Sequence, residues 1–142
     1  MSGKAFLDTN VFLYNFDAGA PAPKRLAARR LIEDALQRRQ TVISYQVIQE
    51  FVNVARTKFA KPISVPDLQL LVERVLAPLM TIQPSADLVR DALDIHARYQ
   101  ISWYDALIVA AAATANCSVL YSEDLQDGAK IGGVRIENPF RH

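Results

Sequence analysis

Asp8, Glu50, Asp105 and Asp124 each stand beside a different stretch that reads as core, and acids so placed could share one metal ion. A carboxylate next to buried elements is costly unless a cation compensates it. Four gathered together would repel by about 3–4 kcal/mol per close pair at an effective dielectric of about 20. A divalent ion relieves that strain, and hard oxygen ligands suit Mg2+ or Mn2+. Metal chemistry is therefore the first expectation.

Each acid also has a plain structural reading. Asp8-Thr9-Asn10 follows the apolar run Ala5-Phe6-Leu7 and can cap the helix it opens. Glu50 flanks the apolar stripe of Val47, Ile48, Phe51, Val52 and Ala55, where a boundary residue would reach solvent. Asp105 is the only charged residue from Trp103 to Ala115, in a helix apolar on all sides, and Ser102 with Asp105 has capping-box spacing. Asp124 sits with Glu123 and Asp127 in a run typical of an exposed loop; the functional reading turns Asp124 inward and leaves Glu123 in solvent, with Asp127 a peripheral ligand or turn residue. A haloacid-dehalogenase-type phosphatase also begins with an Asp after its first strand. That chemistry needs a second acid two positions on, where this chain has Asn10.

The elements that must position these acids alternate. Strands are expected at Lys4 to Leu7, Thr41 to Ile43, Met80 to Ile82, Ser118 to Tyr121 and Val134 to Ile136. Helices are expected at Val11 to Phe16, Pro23 to Arg39, Tyr45 to Phe59, Val65 to Leu79, Ser85 to Tyr99 and Trp103 to Asn116. Alternation of this kind implies an α/β fold with a parallel sheet covered on both faces. Ligands then bind beyond the C-terminal strand ends, where Asp8 and Asp124 fall.

The 142 residues suit a single domain, 1–142, and the 51% hydrophobic, 22% charged composition suits a soluble, folded protein. The longest apolar run, Ala106 to Ala115, is too short to cross a bilayer. Cys117 alone allows no intrachain disulfide, which fits a reducing cytoplasm, and it reads as a small core residue. His96 reads as a packed core residue and His142 as a terminal one, so nucleophilic catalysis in the protease style has no base. No glycine-rich phosphate loop is present. Met1 to Lys61 carries a net +5 and the remainder −4. A basic segment with an acidic cluster fits an enzyme that grips and cuts a polyanion, while the helix bearing Lys24, Arg25 and Arg29 could equally present a solvated face.

Taken together, Leu7-Asp8-Thr9-Asn10, Gln49-Glu50-Phe51, Tyr104-Asp105-Ala106 and Tyr121-Ser122-Glu123-Asp124-Leu125 resemble the PIN domain family, and more narrowly its VapC-type toxin ribonucleases. The resemblance runs from Lys4 to about Pro139. It implies a three-layer α/β/α sandwich with a short, mainly parallel central sheet. It implies a Mg2+- or Mn2+-dependent endoribonuclease that leaves 5′-phosphate and 3′-hydroxyl ends. Asp8, Glu50, Asp105 and Asp124 would be the catalytic, metal-binding acids, supported by Thr9, Asn10 and Ser122. Lys24, Arg25 and Arg29 would meet RNA, and Phe12, Tyr14 or Trp103 could stack on unpaired bases, although core packing suits Trp103 better. A cognate antitoxin and a second copy of the chain would be the protein partners, with no role for a membrane. Two other readings stand beside this one: a non-catalytic RNA- or protein-binding module using the same pocket, and a magnesium phosphohydrolase acting on small phosphate esters.

Overall fold

The apolar runs that punctuate the sequence become the middle of a sheet, and the longer amphipathic stretches wrap it. The computed structural model describes residues 3–141; His142 lies outside the described residues. The order is β1 (Lys4–Leu7), α1 (Thr9–Phe16), α2 (Ala22–Arg38), β2 (Thr41–Ser44), α3 (Tyr45–Ala55), α4 (Val65–Leu71), β3 (Met80–Ile82), α5 (Ala86–Tyr99), α6 (Trp103–Thr114), β4 (Cys117–Tyr121), β5 (Lys130–Ile131) and β6 (Val134–Glu137). The strands form one sheet in the order β3-β2-β1-β4-β6-β5. All neighbours are parallel except β5 and β6. Helices flank the sheet, α6 running against β2, β4 and β6 with α5 packed over it, and α1 packing on α2 and α3. This is the three-layer α/β/α arrangement.

The chain steps outward from β1 through β2 to β3, then returns to the other side of β1 as β4. The strand order therefore reverses between β1 and β4, the place where open α/β sheets open a crevice at their C-terminal edge. The Asp8 amide closes that edge by donating to the Tyr121 carbonyl at 3.0 Å. Phe6, Phe12, Ile43, Phe51, Leu76 and Leu120 fill the core beneath it, all fully buried. Cys117 is buried among them, as its apolar setting implied.

Several expectations need correction. α3 stops at Ala55 rather than Phe59, because the Ile63 amide takes the Ala55 carbonyl at 3.0 Å and turns the chain away. The run expected as one helix to Leu79 is α4, then a wider π turn (Val72–Leu76), then a 3-10 turn (Ala77–Leu79). Pro78 has no N–H to continue the α ladder, so the last turns change pitch. β5 was not foreseen; Gly132 and Gly133, with φ of 58° and 84°, make the two-residue turn that pairs Ile131 with Val134. His96 is exposed, not core: at the end of α5 its Nδ1 meets the Ile101 carbonyl at 2.7 Å, and its ring stands edge-on to Trp103.

Candidate functional site

The site grows from the end of β1. Asp8 caps α1 and is buried, its Oδ1 accepting from the Thr9 amide at 2.7 Å and its Oδ2 from the Ser122 hydroxyl at 2.7 Å. Both partners are neutral, so burial pushes the Asp8 carboxyl up to about 7, the two hydrogen bonds only partly offsetting desolvation and the charges of Asp124 and Glu50 raising it further. Ser122, fully buried at the end of β4, also accepts the Asp124 amide at 3.2 Å. One hydroxyl thus ties two acids 116 positions apart in the chain to each other's backbone and side chain.

Thr9 does the same for the third acid, its hydroxyl donating to Glu50 Oε1 at 2.6 Å. Gln46, one turn earlier on α3, reaches Glu50 Oε2 at 3.3 Å and the Tyr104 carbonyl at 3.2 Å. Asp105 arrives from α6, whose N-terminus points at the same sheet edge; Ser102 caps that helix by accepting the Asp105 amide at 3.2 Å. The structural and functional readings of Asp8 and Asp105 therefore coexist: each belongs to a cap, and each lines the pocket. Burial also raises the Asp124 carboxyl, followed by the charges of Asp105, Glu123 and Glu50.

Asp8, Thr9, Asn10, Glu50, Asp105 and Asp124 all line one cavity of about 590 Å³. Both amide atoms of Asn10 are buried there without a protein hydrogen-bond partner. Among the described residues, no three acids, histidines or cysteines close round a common point as a finished metal cage. The fit to a hard cation rests instead on the donor chemistry. The donors are oxygens, carboxylates dominate the wall, and the deepest of them has no cationic partner.

The loop after β4 departs from expectation. Glu123 turns inward, accepting from the Tyr14 hydroxyl and, at 2.7 Å, from Lys24 Nζ. Lys24 also donates to the Tyr14 hydroxyl at 3.1 Å and lies over its ring. This triad raises both the Tyr14 hydroxyl, chiefly through burial, and the Lys24 ammonium, chiefly through its bond to Glu123. Asp127 is a turn residue, accepting the Asn138 amide at 2.8 Å, and does not line the pocket. Arg25 and Arg29 line a separate groove with Leu26, Leu36 and Val75. Phe12 is fully buried and Trp103 half-buried. The polar pocket residues that sequence reasoning missed are Asp17, Gln46, Asn53, Lys58 and Tyr104. Gln46 and Asn53 were detectable in principle, one turn either side of Glu50 on α3.

Residues 5–127 match the model of the PIN domain family. No curated protein matches the chain by sequence. Solved structures share its fold. A toxin–antitoxin complex from Klebsiella pneumoniae is 22% identical with a TM-score of 0.70, over 96% of this chain and 98% of that one. VapC20 of Mycobacterium tuberculosis, a toxin that cleaves the sarcin–ricin loop, is 21% identical with a TM-score of 0.66, over 93% and 99%. DNA-bound VapBC from Salmonella typhimurium is 22% identical with a TM-score of 0.65, over 96% and 98%.

Proposed function

Because this chain belongs to the PIN domain family, we propose that it is a metal-dependent endoribonuclease, the toxin of a toxin–antitoxin pair, cutting RNA to leave 5′-phosphate and 3′-hydroxyl ends. The observation that carries this reading is the meeting of Asp8, Glu50, Asp105 and Asp124 in one cavity at the strand-order reversal. Structural neighbours that include a toxin–antitoxin complex and a toxin cleaving the sarcin–ricin loop point the same way.

Those four acids would hold Mg2+ or Mn2+. When bound, the ion supplies positive charge to activate water and shield the phosphodiester. The protein's part is placement. Ser122 and the Thr9 amide orient the two oxygens of Asp8, and the Thr9 hydroxyl and Gln46 those of Glu50. Asn10 would support the acids from within the wall, its amide being buried without a protein partner. Lys58, which also lines the pocket, would meet a flanking phosphate, whereas Lys24 is already engaged by Glu123. Arg25 and Arg29 could contact RNA only outside the pocket.

By the same reading the chain is a single nuclease domain, works in the cytoplasm, pairs with a second copy and is held in check by a cognate antitoxin. Among the described residues no helix is long and apolar enough to cross a membrane. The decisive experiment sequences RNA ends from cells expressing the wild type or Asp105→Asn. Cuts at a defined site, seen only with the wild type, are expected; identical end profiles would refute the nuclease. A chromogenic phosphate monoester turned over faster than RNA would favour a phosphohydrolase instead.

A further inference from the structure

Tyr104 is 65% exposed, the most exposed large apolar side chain among the described residues, and it stands on the wall of the acid pocket. It is not alone: Tyr45 and Val89, also exposed, line a cavity with it, and apolar side chains grouped in this way mark an interaction surface. The Tyr104 backbone is not free to wander. It lies in the capped first turn of α6, next to Asp105, and Gln46 holds its carbonyl with the same amide that reaches Glu50. The ring's anchor is therefore registered to two of the four acids.

On the other side of Tyr104 lies a second cavity of about 520 Å³, which shares Gln46 and Tyr104 with the first. Ile82, Pro84, Val89 and Leu107 make its walls apolar. Tyr104 is thus the ridge between a carboxylate pocket and an apolar hollow. A nucleic-acid strand alternates in the same way, a charged phosphate beside a flat apolar base. Of the other aromatics lining the two cavities, Phe59 is buried, Tyr14 is held by Lys24 and Glu123 with its ring against Phe140, and Tyr45, 41% exposed, lines the apolar hollow but not the acid pocket.

Building on the nuclease reading, we propose that Tyr104 is the base platform of this site: an unpaired nucleobase beside the scissile phosphate stacks on its ring and projects into the apolar hollow. Base–aromatic stacking tolerates any base but requires one freed from a duplex, so this residue selects single-stranded or looped RNA.

The test compares wild type, Tyr104→Ala and Tyr104→Phe on an unpaired RNA that the wild type cuts, and on the same RNA with an abasic nucleotide on either side of the cut. Tyr104→Ala is expected to lower kcat/KM about 5- to 150-fold, the range that a base–aromatic stack is worth. Tyr104→Phe should stay near wild type, and all three should melt alike because the ring packs little. One abasic substitution should cost the wild type a similar factor and cost Tyr104→Ala little more. Unchanged kcat/KM in Tyr104→Ala, or losses that simply multiply, would overturn the proposal. So would a variant that loses activity only because sedimentation shows a dimer become a monomer. A wild type that cuts no RNA brings down the underlying reading and this inference with it; an active wild type with an unaffected variant removes the inference alone.

Discussion

Asp8 is the residue on which the site turns, because its burial sets a pH dependence that can be read without any substrate. An exposed aspartate titrates near 3.9, roughly, and the folded protein holds this one at about 7. Between those values the native state keeps a proton that the unfolded chain has released. Metal-free stability therefore falls as pH rises from about 4 to 7, by up to about 4 kcal/mol. Asp8→Asn should flatten that slope and raise the melting temperature of the metal-free protein at pH 8, while abolishing cutting. Added Mn2+ should stabilise the wild type more at pH 8 than at pH 5, because binding must first remove the proton. Melting curves across pH, with and without chelator, check both; parallel slopes for the two proteins would contradict the account. The four acids were legible because each sits at the edge of a recognisable apolar element. Glu123 was not, since its direction depends on Tyr14 and Lys24, about a hundred positions away in the chain. His96 misled because the spacing that puts it on a packed helical face also puts it in the last turn, where a loop carbonyl is within reach.

Among the elements, α6 carries the heaviest demand, since it must lie against the sheet and still deliver Asp105 and Tyr104 to its edge. Its fit against α5 depends on small side chains: Ala92, Ala106 and Ala110 form a fully buried seam. Ala110→Leu should overpack that seam and cost about 1–3 kcal/mol, and the displaced helix should lower cutting more than an equal destabilisation elsewhere. Denaturant unfolding paired with cleavage rates distinguishes the two effects; an unchanged midpoint would show that the seam has room. The sequence announced α6 clearly, because a single charged residue in thirteen otherwise uncharged positions marks a buried helix. It marked the ends of α3 and α4 poorly. There the outcome was decided by a distant amide, that of Ile63, and by a proline whose local effect was visible but whose resulting pitch was not. Arg39 and Gln100 end α2 and α5 in left-handed conformation, a role the sequence signals best with glycine.

For the whole molecule, the strand alternation sufficed to infer a mainly parallel sheet and the edge where the acids meet; the order of the strands it could not supply, because pairing is set by contacts far apart in sequence. The basic α2 faces its own groove, and Lys24 is neutralised, which leaves Lys58 as the cation on the pocket wall. RNA affinity should fall as salt rises, and Lys58→Ala should reduce the slope of log affinity against log salt by about 0.7 while weakening all RNA sequences alike. Fluorescence anisotropy over a salt series reads this directly; an unaltered slope would remove Lys58 from the interface. The bond from Ser122 to Asp8 spans 114 positions, and β1 sits between β2 and β4. A nascent chain that has not yet released β4 from the ribosome has no partner for the far side of β1 and no hydroxyl to hold Asp8. If the proposed nuclease activity holds, fragments that stop before Cys117 would lack both that partner and that hydroxyl, and would leave RNA intact.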